Sequence, residues 1–306
     1  MATSVTARAP GKVNIQLSVG PVRADGFHPL ASVFHAVGLV EEVTLTRGAP
    51  GAGPRVEVTG LQADEVPRDA SNLAWRAVEA VADELGVAAD VVIGIVKGVP
   101  VAGGMAGGSA DCAAALVAAN DLFDGGLSRS DLARLGLALG SDVPFALHGG
   151  TALGLGRGEQ LSPLMVRGEF HWVFATARLG LSTPAVYAAF DRMVTGRVVP
   201  QPEVDGAVVA ALRAGDARAL GKALHNDLQE PALGLRPTLR DVLEAGESAG
   251  ALGSLVSGSG PTVAFLVADP ARAARVAAAL AGLEQVRATF ITSGPAPGAR
   301  VVHRAG

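Results

Sequence analysis

The 306-residue chain is 49% hydrophobic and 18% charged with a formal net charge of −4, and its pI is near 5.9 and its mean hydropathy +0.36. That balance excludes a disordered chain and argues against a nucleic-acid binder, which needs a basic stripe. No apolar run approaches the roughly 18 residues of a membrane span, and the N-terminus lacks the basic and apolar regions of a signal peptide, so a cytoplasmic protein with no membrane partner is expected. The single cysteine, Cys112, rules out an internal disulfide or a multi-cysteine metal site and reads as a small packed residue. The six histidines show no paired metal-ligand spacing.

Val13, Ile15, Leu17 and Val19 alternate with Asn14, Gln16 and Ser18, the period of a strand with one polar face that Lys12 shares. Arg23 to Pro29 is a turn-rich loop carrying Phe27 and His28, and Val33 to Val40 returns to strand. Val43 with Leu45, then Val56 with Val58, continue the strand signal, and Gly48 to Pro54 reads as a hairpin loop. Ser71-Asn72 opens a helix with Leu73, Ala77, Val81 and Leu85 on one face, and Gly86 closes it.

Glycine is most concentrated in Val99 to Asp111. The apolar run Val91 to Val96 predicts a buried strand before this loop, and alanine-rich Cys112 to Leu122 predicts a helix after it, with its N-cap at or near Ser109. A strand, glycine loop and helix N-terminus together offer unpaired amides and a partial positive charge, which suits a phosphate, with Lys97 in reach; a tight structural turn is the plainer reading. The loop is neither a Walker motif, since Ser109 stands where lysine is needed, nor a dinucleotide fingerprint.

Ser128 to Leu139 reads as a helix capped by Ser128 and Asp131 and ended by Gly140. Asp142 precedes a short proline-started helix, where it is either an N-cap or a chemically active carboxylate. Near Gly154 to Gly158 the pattern loosens, and the border between two domains, 1–158 and 159–306, is expected there. Val173 to Ala177 predicts a strand, and Thr183-Pro184 begins a helix with Tyr187, the only tyrosine, one turn in. Helices are expected over 205–214, 216–228 and 237–250, with Asp227 and Glu230 on solvated faces. A second glycine-serine loop, Ser257 to Thr262, then feeds an apolar strand, and a helix over 271–280 and a strand over 286–291 suggest an α/β sandwich in the C-terminal half.

Taken singly these signals are ambiguous, but the Pro10-Gly11-Lys12-Val13-Asn14 strand, the Pro100 loop and the Ser257-Gly258-Ser259-Gly260 loop occur in an order that resembles the GHMP kinases. Gly26-Phe27-His28, Gly140 to Pro144, and Thr183-Pro184 with Tyr187 resemble the branch that uses ATP to phosphorylate the 2-hydroxyl of a cytidine-diphosphate-linked methylerythritol, on the way to isoprenoid precursors. The resemblance implies an α/β (α+β) two-domain fold, the N-terminal half like ribosomal protein S5 domain 2 and the C-terminal half a ferredoxin-like α/β sandwich. It implies that Asp142 is the catalytic carboxylate and Lys12 its orienting cation. Asn72, Leu73 and Lys97 would lie near the adenine, and Pro100, Val101, Ala102, Gly103, Gly104, Met105, Ala106, Gly107, Gly108, Ser109 and Ala110 would wrap the phosphates, with Ser109 the candidate protein ligand of Mg²⁺.

Phe27 and Tyr187 would sandwich the cytosine, His28 would bond its edge, Asn14 and Thr183 would line the pocket, and Ser257, Gly258, Ser259 and Gly260 would close over the substrate. The implied partner is a small molecule carrying cytidine diphosphate, bound by a monomer or weak homodimer. The chain departs from the family pattern at Gly11, Ala106, Phe27, Ala110 and Asp111, none of which touches Lys12 or Asp142. Two alternatives stand beside this reading: another GHMP kinase, acting on homoserine, mevalonate or a sugar, and a non-catalytic ATP-binding sensor.

Overall fold

The computed structural model describes residues 2–101 and 103–306, and Ala102 of the glycine loop lies outside the described residues. The chain opens with two long strands, β1 (Ser4–Val19) and β2 (Leu30–Arg47), paired antiparallel. Then come β3 (Arg55–Gly60), α1 (Leu73–Leu85), β4 (Val91–Lys97), α2 (Gly107–Leu122), α3 (Arg129–Leu139) and α4 (Val143–His148), followed by the hairpin β5 (Thr151–Gly156) and β6 (Gln160–Pro163). β4 lies between β2 and β3 and runs parallel to β3. The segment expected to be a hairpin loop at Gly48 to Pro54 is therefore a crossing over β4, pinned by the Asp90 carboxylate, which accepts from the Gly51 and Gly53 amides.

The second sheet has the order β11-β7-β10-β9, from β7 (Phe170–Ala177), β9 (Gly253–Val256), β10 (Val263–Val267) and β11 (Val286–Gly294), all antiparallel to their neighbours. Helices α5 (Thr183–Val194), α6 (Gly206–Ala214), α7 (Ala217–Ala223), α8 (Gln229–Leu235) and α9 (Leu239–Ser248) intervene between β7 and β9, and α10 (Pro270–Ala281) between β10 and β11. This is the expected ferredoxin-like arrangement. Two short strands return to the first sheet: β8 (His225–Asn226) parallel to β1 and β12 (Arg300–Ala305) antiparallel to it. The helix expected over 216–228 stops at Ala223 because the chain extends there to pair with β1, and α8 follows. Asp227, expected on a solvated face, is half-buried and accepts from the Val19 amide at 2.8 Å.

Local chemistry accounts for the helix ends. Asn72 caps α1 by accepting from the Ala74 amide, and Gly86 closes it in the left-handed region. Ser128 and Asp131 form a reciprocal capping box on α3. α2 is apolar on nearly every face and is buried among α1, β1 and β2, as a helix without a polar stripe must be. It starts five residues earlier than its alanine run, so Ser109 lies in its first turn and the cap position is Ala106, held at φ 58°.

β1 threads three packed regions. Val5, Ala7 and Ala9 join the core around α1 and α2, Val13 and Ile15 pack with Phe170, Trp172 and Phe174 of β7, and Leu17 and Val19 reach the core beneath α5 and α8. Covered this way, its polar residues Lys12, Asn14 and Gln16 are buried rather than solvated.

Candidate active site

A cleft of about 1340 Å³ opens between the two sheets, lined by both glycine loops, the polar face of β1, the start of α4 and one face of α5. Lys12, on the middle of β1, is 5% exposed. Its ammonium donates to Asn14 Oδ1 at 2.6 Å and lies 3.6 Å from Asp142 Oδ2. Asn14 is fixed in turn by donating to Ser32 Oγ at 2.7 Å, and Ser32 donates to the Gln16 carbonyl. The Phe34 ring, stacked on Phe145, lies under the Lys12 ammonium. Asp142 occupies the N-cap position of α4 without capping it through its side chain, so its carboxylate is left facing Lys12 and the cleft. The capping reading of Asp142 is thereby excluded.

The two glycine loops interlock. A Cβ on Gly104 would collide with the Ser257 carbonyl, and one on Gly103 would sit 2.5 Å from Thr262 Oγ1. Ser257 donates to the Gly104 carbonyl at 3.2 Å, and the Lys12 amide donates to the Met105 carbonyl at 3.1 Å. The Asn226 side chain, on β8, holds the second loop through the carbonyls of Val256 and Gly258. Gly103, Gly104, Ala106, Gly107, Gly108 and Ser109 face the cleft opposite Gly258, Ser259 and Gly260. Thr183 hydrogen-bonds Ser259 at 2.7 Å, tying α5 to the loop.

Several expected ligands play other parts. Ser257 is fully buried and serves loop-to-loop contact, not the cleft wall. Met105 and Ala110 are core residues, and Pro100 and Val101 lie off the cleft, with the Val101 amide taken by Gln62 Oε1. Asn72 spends its whole amide on capping α1 and on the Pro67 carbonyl, whereas its neighbour Leu73 does line the cleft. Lys97, expected near the adenine, is instead sealed beneath the loop against Glu41 and Asp111. Asp111, one of the departures from the family pattern, is 3% exposed for the same reason.

At the other end of the cleft, Phe27 is half-exposed and the Arg157 guanidinium lies 3.6 Å over its ring. The His28 and Tyr187 ring centroids are 5.3 Å apart, and burial pushes the Tyr187 phenol up to about 12, leaving it a neutral hydroxyl. Both ring nitrogens of His28 are engaged, Nδ1 with the Gly20 carbonyl at 2.8 Å and Nε2 facing Asp191 at 3.3 Å. Sequence reasoning missed Arg157 and Asp191. A cation between two glycines, Gly156-Arg157-Gly158, was the available signal for the first; Asp191 lies one helical turn beyond Tyr187 on the same face.

Among the described residues no three His, Cys, Asp or Glu side chains form a metal cluster. The donors on the cleft wall, the Ser109 hydroxyl and the Asp142 carboxylate, fit a Mg²⁺ carried chiefly by phosphate oxygens. No helix among the described residues is long and apolar enough to cross a membrane.

Comparison with known proteins agrees with this geometry. Residues 72–150 match the GHMP kinases N terminal domain and residues 208–283 the GHMP kinases C terminal. A 4-diphosphocytidyl-2-C-methyl-D-erythritol kinase of Thermobifida fusca is 55% identical over 98% of this chain and 99% of its own. A crystal structure of 4-(cytidine 5'-diphospho)-2C-methyl-D-erythritol kinase superposes with a TM-score of 0.75 at 30% identity, covering 94% of this chain and 98% of that one. A homoserine kinase from Cytophaga hutchinsonii, with a TM-score of 0.74, 21% identity and 99% and 98% of the two chains covered, shares the fold. The chain belongs to the GHMP kinases, and within them to the 4-diphosphocytidyl-2-C-methyl-D-erythritol kinase family.

Proposed function

We propose that the chain transfers the terminal phosphoryl group of ATP to the 2-hydroxyl of 4-diphosphocytidyl-2-C-methyl-D-erythritol. The observation that carries this reading is the Lys12–Asp142 pair, 3.6 Å apart where the two glycine loops meet, in a cleft whose far end holds Phe27, His28 and Tyr187. In phosphoryl transfer the protein mainly positions the reactants and neutralises charge. The amides of Gly103 to Ser109 and the start of α2 would hold the phosphates. Mg²⁺, met by the phosphates, Ser109 and Asp142, would supply charge neutralisation.

Asp142 orients the acceptor hydroxyl and receives its proton. The Lys12 ammonium beside it stabilises the negative charge developing on the transferred group. Stacking on an aromatic is worth about 1–3 kcal/mol per base and tolerates any base, so Phe27 and Tyr187 would supply affinity and the polar groups of the pocket selectivity.

The test is ADP release that requires the cytidine-bearing acceptor. Asp142→Asn is expected to lower turnover by about 10²–10⁴-fold, the usual contribution of a positioned base. Equal turnover with mevalonate, homoserine or galactose would overturn the acceptor assignment. ATP binding without turnover of any acceptor would favour the sensor reading instead.

A further inference from the structure

Phe27 cannot fix its own ring. It lacks the polar handle by which a tyrosine or tryptophan is tied down, and it is 48% exposed where it lines the cleft. What bears on it is the Arg157 guanidinium, 3.6 Å over the ring. That is the separation of a stacked pair, and it joins two segments far apart in the chain.

Both partners are held from behind. Within the loop that carries Phe27, the Asp25 carboxylate accepts from the Phe27 amide at 3.1 Å and from Arg23 Nη2 at 2.9 Å, and it lies 3.5 Å from Arg157 Nη2. The Phe27 amide first, then the two arginines, hold the Asp25 carboxyl below its ordinary value, so Arg157 meets an ionised partner. Arg157 itself stands in the turn between β5 and β6. There Gly156 and Gly158 both have positive φ, the Gly158 amide donates to the Leu155 carbonyl at 3.0 Å, and the Arg157 amide donates to Glu159 Oε2 at 2.6 Å. The Arg157 side chain is 46% exposed, so its removal opens no cavity.

We infer that Arg157 is a positioning residue for the acceptor's base: its guanidinium, tethered to Asp25, pins the Phe27 ring as one wall of the pocket. This rests on the reading of Phe27 and Tyr187 as a base pocket. Guanidinium groups stack on aromatic faces, and the planar fork is ordered at little cost. A wall in place before the ligand arrives spares binding the cost of ordering it. The benefit falls on the acceptor and not on ATP, whose phosphate loop lines another part of the cleft.

The experiment is a double-mutant cycle of Arg157→Ala and Phe27→Ala. It is read by steady-state kinetics with 4-diphosphocytidyl-2-C-methyl-D-erythritol and by the inhibition constant of cytidine, which carries the base without phosphate. Arg157→Ala should raise the acceptor KM about two- to fivefold, the scale of an exposed cation–π contact, without moving kcat or the ATP KM. Cytidine inhibition should weaken by the same factor. In the Phe27→Ala background the same substitution should do nothing, because a residue that acts only through the ring has no effect once the ring is gone.

An equal rise in both backgrounds, or a loss for the acceptor with none for cytidine, means that the guanidinium meets the ligand itself and overturns the inference. So does a fall in KM for Arg157→Ala, which puts the guanidinium where the base should stack. Each of these leaves the base pocket standing. Cytidine that does not compete with the acceptor in the wild-type chain would remove the pocket and the inference together.

Discussion

Ala106→Gly is expected to stabilise the protein, although glycine weakens a helix interior. Ala106 caps α2 at φ 58° and ψ 34°, a left-handed conformation that costs an L-residue about 1–2 kcal/mol and glycine nothing. Its angles are close to the centre of that region, so the lower end of the range applies. Glycine gives back about 0.4–1 kcal/mol by loosening the unfolded chain. The balance is a gain of at most about 0.6 kcal/mol, which raises the melting midpoint of a domain of this size by up to about 2 °C. Differential scanning calorimetry would read it, with Ala106→Val as the counterpart that should lower the midpoint, because a β-branched residue fits this region worst. A lower midpoint for the glycine variant would refute the reasoning and mean that Ala106 is not strained.

Tyr187→Ala should raise the KM for the cytidine-bearing acceptor and leave that for ATP unchanged, with about 1–3 kcal/mol of stacking lost; an equal effect on both constants, measured by steady-state kinetics, would count against a base pocket there. Gly246→Ala, whose Cβ would run into the Phe265 ring, should destabilise by about 1–3 kcal/mol in denaturant melts while sparing the chemistry of the distant cleft. His35 is fully buried, hydrogen-bonds Thr151 Oγ1 at 2.7 Å, and is held neutral by burial with its pKa lowered to about 4. Its contribution to stability is therefore complete above the unfolded value near 6.5 and is lost as pH falls from there toward 4. The loss is on the order of 3 kcal/mol, read as a shallower acid limb in melts of His35→Gln.

What could be read from sequence was what short-range chemistry decides. Asn72 and Gly86 bracket α1, and Ser128 with Asp131 starts α3, because caps act on their own neighbours. The order of motifs likewise brought Lys12, Asp142, both glycine loops and Tyr187 into one cleft. Partners far along the chain were not legible. Lys97 looked like a phosphate ligand because nothing near it in sequence announces Glu41 or the pairing with Asp111 of another element. β4 inserts between β2 and β3, a crossing that alternating valines cannot distinguish from a hairpin. Nor does local pattern connect His28 with Gly20 and Asp191, which approach its imidazole from a turn and a helix.

The strand that carries Lys12 is flanked on one side by β2 and on the other by β12 and β8, which come from the last third of the chain. During translation β1 leaves the ribosome early, yet the neighbours along that second edge are not available until residues 225–226 and then 300–305 have been made. An open edge of this kind is a template for mispairing, so a nascent chain stalled short of residue 300 would leave the Ser4–Arg8 edge of the strand that carries Lys12 unpaired. A truncation that removes residues 300–305 thus strips its partner from the start of the strand whose middle carries Lys12, an effect that travels along the strand rather than along the chain.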